Sequence, residues 1–302
     1  MLTFFSTPKP FAGHIGVIQR NAIQSWKCMH PDAEVLLLGD EPGAAEAASA
    51  LGVSYIPEVR RNAHGTKYLS SIFDRAQEVA RHDLLCYVNC DILLLADFRR
   101  ALEVLLAQHA RFLMIGQRWD TDITEPLDFA QPDCQAHIRR RALAANHRRP
   151  PQWIDYFVFA RGLYQNQIPT FVIGRPGWDN WLVWFACASG VPVVDASSAV
   201  LAVHQNHDYS YHPDGEKGVW QGQEAQENYA LLDGGRKFCT MENATHRLSV
   251  HGLRRNYWRH WTGRKKKAAA LARRAWFSLL DLTRPIRHRL GLRSGDAGGA
   301  TR

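Results

Sequence analysis

The sequence lacks the short patterns that assign many proteins to a class at once. Its six cysteines are scattered and form no C-x-x-C pair, which argues against a zinc ribbon or a dithiol redox site and favours a reducing, cytoplasmic setting. No apolar run approaches the roughly 18 residues of a membrane span, and the opening segment MLTFFSTPKPF does not resemble a signal peptide. The composition, 46% apolar over 302 residues, is that of a globular protein with a sizeable core.

Three glycine-rich functional loops are also missing. No G-x-G-x-x-G follows the first predicted strand, which argues against a dinucleotide-dependent dehydrogenase. The stretch 60–76, RRNAHGTKYLSSIFDRA, has a Gly-Thr turn that opens a helix and can present backbone N–H groups to an anion, but it is not a Walker loop. The absence of a G-x-S-x-G elbow argues against an α/β-hydrolase.

The charge is unevenly distributed along the chain. Residues 253–302 contain fourteen Lys and Arg against two acidic residues, whereas residues 1–252 have a net charge of −4. We therefore predict a globular domain over 1–252 and a separate basic segment over 253–302. Within that segment, 265–282 has helical spacing with tryptophans nearby, which is typical of a helix on an anionic membrane surface. The alternative is a solvated helix followed by a disordered end.

Short apolar runs alternate with segments of helical spacing in the first half of the chain. Strands are predicted at 2–6, 34–38, 53–56, 84–95 and 112–115, and helices at 14–27, 44–51, 68–81 and 96–108. Further on, strands are predicted at 155–159, 191–195 and 200–204, a helix at 181–189, and less regular stretches at 119–154 and 205–240. This pattern predicts an α/β fold with a mostly parallel sheet that is flanked by helices. Ligands bind such sheets at the carboxyl ends of the strands.

Two polar residues interrupt the most apolar strand, YVNCDILLL. If the strand ends near Asn89, then Asn89 and Asp91 project from its carboxyl end on the same side. Asp91 could then coordinate a divalent cation such as Mg²⁺ or Mn²⁺, with Asn89 adding an amide oxygen or a hydrogen bond. The alternative is an ordinary aspartate in a turn after the strand.

The segment RPGWDNW places an aspartate between two tryptophans. Asp179 is either a helix N-cap or a carboxylate at the mouth of the sheet that accepts a hydroxyl proton. Trp178 and Trp181 would offer flat apolar faces to a sugar ring, with Asn180 beside them as an acceptor contact. Asp155, in IDYFVF, is the rival carboxylate.

The stretch 204–220, HQNHDYSYHPDGEKGVW, combines histidines with an aspartate and a lysine. Its spacing matches no closed zinc site, but His204 and His207 are candidate metal ligands. Lys217 lies between glycines and could neutralise a diphosphate as a point charge.

Taken together, these features resemble the GT-A-fold glycosyltransferases that use nucleotide-sugar donors, over residues 2–220. The resemblance implies that Thr7, Asp40 and Arg61 contact the nucleotide. It also places Asn89-Cys90-Asp91 at the family's D-x-D motif, so that Asn89 stands where the first acid is usual. A histidine downstream, His204 or His207, would complete the metal site.

The resemblance further implies a mechanism. Asp91 and a histidine would hold Mn²⁺ or Mg²⁺ on the donor diphosphate, Lys217 or Arg118 would assist, and Asp179 would deprotonate an acceptor hydroxyl in an inverting displacement. The stretch His212-x-x-Gly215-x-Lys217 also resembles a diphosphate-contacting pattern of some retaining members, and a retaining mechanism would suit it equally well. The basic segment suggests a cytoplasmic enzyme attached to the inner membrane face, with a glycan or lipid-linked acceptor.

Four alternatives stay open. The sheet also suits a sugar nucleotidyltransferase, although STPKPFAGH fits that family's first loop poorly. A metal-dependent hydrolase could use the histidine-rich stretch, and the Asn89 variant would also suit an inactive sugar-binding protein. A nucleic-acid partner is disfavoured because the globular part is acidic and carries no recognition motif.

Overall fold

The computed structural model describes residues 1–208 and 215–256. Contacts within the chain group Met1–Asn256 as one compact unit. The division predicted after residue 252 stays a prediction. The predicted helix at 265–282 and the rest of the basic segment beyond Asn256 lie outside the described residues, as does His212, the third histidine of the stretch 204–220.

Eight α-helices belong to the described part of the chain. They are α1 (Gly13–Lys27), α2 (Ala44–Leu51), α3 (Leu69–Val79), α4 (Ala96–Leu106), α5 (Cys134–Ala145), α6 (Trp178–Ala188), α7 (Gly215–Gln221) and α8 (Gln223–Leu231), with a 3₁₀ turn at Met241–Asn243. None of these helices is long and apolar enough to cross a membrane.

A large sheet forms the centre of the unit. Its strands, in chain order, are β1 (Thr3–Ser6), β2 (Glu34–Leu38), β3 (Ser54–Ile56), β4 (Leu84–Val88), β6 (Leu113–Ile115), β9 (Tyr156–Ala160), β10 (Val193–Ser198), β12 (His246–Ser249) and β13 (Gly252–Arg255). In space they run β13-β12-β10-β6-β9-β4-β1-β2-β3. Five of the eight strand pairings are parallel, and β9 and β13 run antiparallel to their neighbours. The predicted α/β fold with a mostly parallel central sheet is confirmed.

A second, smaller sheet covers the carboxyl end of the large one. It consists of β5 (Ile92–Leu93), β11 (Ala202–Gln205), β7 (Arg118–Thr121) and β8 (His147–Arg148), in that spatial order. In the pairing of β11 with β7, His204 lies opposite Asp120. In the pairing of β11 with β5, His204 lies opposite Ile92. These two pairings bring three distant parts of the chain to one point.

The core lies on both faces of the large sheet. Successive residues of β1 belong to different core clusters. Phe4 packs with Trp26 in one cluster, and Phe5 packs with Phe73 in the other. This alternation is what the two-residue period of a strand produces when helices cover both faces. The burial of β1, β2 and β4 at every position explains why they appear in the sequence as continuous apolar runs.

Three predictions of local structure need correction. The predicted strand 84–95 is two strands, because Asn89-Cys90-Asp91 forms a turn after Val88. The helix predicted from Trp181 begins at Trp178, since Gly177 takes a positive φ of 97° and turns the chain directly into it. The stretches 119–154 and 205–240 contain the helices α5, α7 and α8, whose weak amphipathic pattern hid them among polar residues.

Candidate functional site

A cavity of about 1650 Å³ opens where the carboxyl ends of β1, β2 and β4 meet the second sheet. This is where parallel α/β sheets bind ligands, and the volume is ample for two substrates. Eleven of the residues singled out from the sequence line it: Thr7, Arg61, Asn89, Asp91, Arg118, Asp155, Trp178, Asp179, Asn180, His204 and His207.

Asp91, His204 and His207 form a cluster on the floor of the cavity. One ligand atom from each lies within 4.8 Å of those of the other two. Oδ2 of Asp91 is 3.2 Å from Nε2 of His207 and 3.9 Å from Nε2 of His204. The turn after β4 supplies the carboxylate, and β11 with the residues that follow it supplies both rings.

An oxygen lies on the far side of each ring. Nδ1 of His207 lies 2.7 Å from the carbonyl oxygen of Asp208, which favours the tautomer with its proton on Nδ1 and leaves the Nε2 lone pair available to a metal. Nδ1 of His204 lies 3.5 Å from Oδ1 of Asp120, a charge contact without a hydrogen bond, since this buried nitrogen has no hydrogen-bond partner among the described residues. Asp120 was not singled out from the sequence.

The electrostatics of the cluster suit a cation. Burial, together with the nearby Arg118, lowers the pKa of His204 to about 4, so the ring is neutral at pH 7. Burial disfavours ionisation of Asp91, but His204, the hydrogen bond to His207 and the charge of Lys9 outweigh it and hold the pKa of Asp91 well below its usual range. Oδ1 of Asp91 is buried and has no hydrogen-bond partner among the described residues. An ionised carboxylate with an orphan oxygen beside two imidazole nitrogens fits a divalent metal.

Asn89 faces away from this cluster and into a hydrogen-bonded network. Its Nδ2 donates to Oδ1 of Asp155 at 2.6 Å, and its Oδ1 accepts from the hydroxyl of Tyr87 at 3.0 Å. Arg118 donates from Nη1 to both oxygens of Asp155, at 2.9 and 3.0 Å. Arg118 also donates from Nε to Asp120 at 2.9 Å. Asn89 and Arg118 therefore hold Asp155 by hydrogen bonds, and the Arg118 guanidinium compensates its charge.

Asp179 has a different environment. It lies in the first turn of α6, with the backbone N–H groups of Asn180 and Ile154 donating to its carboxylate. Burial is the main effect on its pKa, which is raised to about 7, and the nearby charge of Asp155 acts in the same direction. A carboxylate that titrates near neutral pH is suited to proton transfer at that pH.

Charged residues cross-link the end of the cavity beside β1 and β2. Lys67 donates to the hydroxyl of Thr7 at 2.5 Å and pairs with Glu41 at 2.5 Å. Arg61 pairs with Glu41 at 3.0 Å and with the exposed Asp40. The structure thus links the predicted residues Thr7, Asp40 and Arg61 through Lys67 and Glu41, which the sequence did not single out.

The predicted acceptor contacts separate into two groups. Trp178 and Asn180 line the cavity, although both are largely buried. Trp181 is 3% exposed and stacks on Phe185 at 5.0 Å within the core, so its ring is not brought to the cavity. Its spacing along α6 turns it to the face that covers the sheet.

Another pair of tryptophans does line the cavity. The rings of Trp153 and Trp220 lie 5.2 Å apart, and the guanidinium groups of Arg118 and Arg149 each lie 5.0 Å from the Trp153 ring. Ile154, the next residue, donates its N–H to Asp179. No pattern in the sequence indicates this pair, because Trp153 and Trp220 are distant along the chain.

Lys217 lies on α7, where it is exposed. Among the described residues it is not part of the cavity lining, whereas its neighbours Gly218, Val219 and Trp220 are. The prediction that it contacts a diphosphate stays a prediction.

No protein-family model matches the chain, and no curated protein matches it. Solved structures with a similar layout include glucosyl-3-phosphoglycerate synthase from Mycobacterium tuberculosis, at 15% identity and a TM-score of 0.46 over 77% of this chain and 80% of that one. A complex of that enzyme with Mn²⁺, UDP and glucosyl-3-phosphoglycerate gives 14% identity and a TM-score of 0.44, over 77% and 79% of the two chains. TarS 1–349 from S. aureus gives 8% and 0.40, over 68% and 58%.

Proposed function

We propose that this chain is a metal-assisted glycosyltransferase that moves a sugar from a nucleotide-diphosphate donor to a hydroxyl of a glycan or glycolipid. One observation carries the proposal. A cavity at the carboxyl end of a parallel sheet contains both a metal-type cluster, Asp91 with His204 and His207, and a separate carboxylate, Asp179, with a pKa of about 7.

Asp91, His204 and His207 would hold the metal. When bound, Mn²⁺ or Mg²⁺ would neutralise the charge that develops on the leaving diphosphate. Two imidazole ligands favour Mn²⁺, because Mg²⁺ prefers oxygen ligands and keeps several waters. The contacts of Asn89 with Tyr87 and Asp155 make it a support for the turn that presents Asp91.

Asp179 would act as the base. Its carboxylate accepts the proton of the acceptor hydroxyl as that oxygen attacks the anomeric carbon. The bond between sugar and phosphate breaks with its electron pair on the diphosphate, which gives inversion at the anomeric carbon. Asp155 is the weaker candidate because Arg118 and Asn89 already occupy its oxygens.

The donor nucleotide and the acceptor sugar would bind at different ends of the cavity. Thr7, Asp40 and Arg61, cross-linked by Lys67 and Glu41, would bind the nucleotide. The Trp153–Trp220 pair, next to Asp179, would support the acceptor sugar, with Trp178 and Asn180 behind it. Aromatic faces suit the apolar faces of sugar rings, and the flanking arginines would orient the polar substituents.

Turnover of candidate donors tests this proposal. Full-length protein with Mn²⁺ is incubated with UDP-, GDP-, CDP- and TDP-linked sugars, and released nucleoside diphosphate and the anomeric configuration of the product are followed by NMR. We expect release from one donor class, loss in Asp91→Asn, and no loss in His109→Asn, a histidine that packs edge to face against His246 instead of lining the cavity. Cleavage of phosphoesters that carry no nucleotide would instead support a metal-dependent hydrolase.

We also propose, from the sequence alone, that the basic segment binds anionic membrane surfaces. The test is flotation of the full chain and of a truncation after Asn256 on anionic vesicles. Truncation at that point keeps β13, which ends at Arg255. Equal flotation of the two proteins would contradict the proposal.

A further inference from the structure

Lys9 places a positive charge on the metal-type cluster. Its Nζ lies 3.0 Å from Nε2 of His207, the same nitrogen that lies 3.2 Å from Oδ2 of Asp91. Nothing in the sequence marked this lysine, which follows the Thr7-Pro8 turn after β1.

The backbone of Lys9 is held rigidly in place. The side-chain amide of Gln19, which is 2% exposed, accepts from the Lys9 N–H at 2.7 Å and donates to the Lys9 carbonyl at 2.9 Å. Gln19 lies in α1, so the helix fixes the point from which the lysine side chain extends. Any rearrangement of Lys9 is therefore confined to its four-carbon side chain.

The Lys9 ammonium lies where a metal would need to bind. A metal held by Asp91 and His207 would use Oδ2 of Asp91 and Nε2 of His207, which lie 3.2 Å apart. Nζ of Lys9 is already within hydrogen-bond distance of that nitrogen, and its positive charge acts on the Asp91 carboxylate.

We infer that the Lys9 ammonium and a divalent cation are alternative partners of Asp91 and His207. A metal bound to Oδ2 and Nε2 takes the lone pair that Lys9 uses, and two cations so close would repel each other strongly. Metal binding therefore displaces Nζ into the cavity, while Gln19 keeps the backbone fixed. There the ammonium becomes a contact for the donor diphosphate, a last step that rests on the proposed function.

This exchange gives the apoenzyme an internal counter-ion. Without Lys9, the buried Asp91 carboxylate would lose the lysine charge that acts on it, which is costly. The exchange also sets the order of binding. The Lys9 ammonium becomes available to a phosphate group only when the metal has displaced it. Metal and nucleotide should then bind with positive coupling.

Lysine acylation read by mass spectrometry tests the displacement directly. Full-length protein is treated with an amine-acylating reagent alone, with Mn²⁺, and with Mn²⁺ plus UDP. We expect Mn²⁺ to raise the labelling of Lys9 about fivefold or more, because the amine leaves its partly buried contact with His207 for a wet cavity. UDP should reverse that rise. Lys27, exposed at the end of α1, is the internal control and should not change.

Metal affinity provides an independent readout. Lys9→Met should bind Mn²⁺ about tenfold more tightly than the wild type in the absence of nucleotide, since a competing charge is removed. With saturating Mn²⁺, the same variant should bind UDP more weakly. Lys27→Met should leave both affinities unchanged.

Two results would overturn the inference. One is Lys9 labelling that Mn²⁺ leaves unchanged at concentrations where the metal is shown to bind. The other is a Lys9→Met affinity for Mn²⁺ no higher than that of the wild type, including the case in which neither protein binds the metal. Failure of the proposed function would look different, because Lys9 labelling would respond to Mn²⁺ while no nucleotide bound.

Discussion

The carboxylate of Asp120 faces the ring of His204, with Oδ1 of Asp120 3.5 Å from Nδ1 of His204. Arg118 donates to one oxygen of this carboxylate at 2.9 Å and Arg149 to the other at 2.5 Å. Two arginines thus fix the aspartate, which places a negative charge behind the His204 ring without a hydrogen bond between them. A carboxylate in this position favours a proton on Nδ1 and leaves Nε2 to a metal.

Removing this charge should weaken the metal site without touching a ligand. We predict that Asp120→Asn lowers the affinity for Mn²⁺ about 10- to 100-fold, the usual cost of losing an outer partner of a metal-bound histidine. Asp128→Asn is the matched control, because Asp128 is exposed and pairs with Gln131 outside the cavity. Calorimetric titration with Mn²⁺ measures both. An unchanged affinity in Asp120→Asn would show that His204 needs no support or does not bind the metal.

The pKa of Asp179 predicts the pH dependence of transfer. Because the base must be ionised and its pKa is raised to about 7, kcat/KM at saturating metal should rise as pH increases through about 7 and then level off. Below that point the fall should approach about tenfold per pH unit. Initial rates across this range provide the test. A profile that stays flat through neutral pH would remove Asp179 from the role of base.

The same pKa predicts an effect on stability. The pKa of Asp179 is higher in the folded chain than its ordinary value of 3.8, so the folded state binds a proton that the unfolded chain releases. Its contribution is full below about pH 4 and is lost as pH rises through about 7. The free energy of unfolding of Asp179→Asn should therefore increase, relative to the wild type, across this window. Urea unfolding at both ends of the window measures it, and a constant difference would contradict the raised pKa.

Substitutions of Asp155 and Asp179 should have different effects on activity and stability. Asp179→Asn should abolish transfer while the protein still binds Mn²⁺ and folds. Asp155→Asn should lower the free energy of unfolding by about 3 kcal/mol, because it leaves the buried guanidinium of Arg118 with less compensation. Rates and unfolding curves of both variants distinguish them. Near-normal turnover in Asp179→Asn with none in a folded Asp155→Asn would reverse the assignment.

The tryptophan pair makes a prediction about the acceptor. Trp153→Ala should raise the KM for the acceptor about tenfold while donor hydrolysis in its absence changes little, because a stacking face for the sugar is lost. Trp184→Ala is the control, since Trp184 is a half-buried tryptophan of α6 that does not line the cavity. An equal increase of the acceptor KM in the two variants would indicate a loss of stability instead of a loss of acceptor binding.

The sequence predicted those parts of the site that depend on local structure. Asp91 follows the most apolar strand, and a polar residue at the end of a buried strand is conspicuous in a single chain. His204 and His207 stand out for a similar reason, since they mark the point where β11 leaves the core. The order of apolar runs and helical segments was likewise sufficient to predict the α/β fold.

The site residues that could not be predicted from the sequence are brought together by contacts between distant parts of the chain. Asp120 supports His204 only because β7 pairs in parallel with β11, which sets Asp120 opposite His204. Lys9 reaches His207 across almost two hundred positions, through a backbone clamped by Gln19. Trp153 and Trp220 meet through the packing of α7 against the loop before β9. No local pattern carries such information.

A thermal-shift panel measures whether nucleotide and metal bind together at Asp91. Wild type and Asp91→Asn are each melted with UDP, GDP, CDP and TDP, with and without Mn²⁺. A nucleotide at 100 times its Kd stabilises by about 2.7 kcal/mol, enough to raise the midpoint by several degrees. For a metal-assisted nucleotide-sugar transferase we predict a shift with one nucleotide that requires Mn²⁺ and is absent from Asp91→Asn. No shift with any nucleotide, or an equal shift in both proteins without metal, would contradict it.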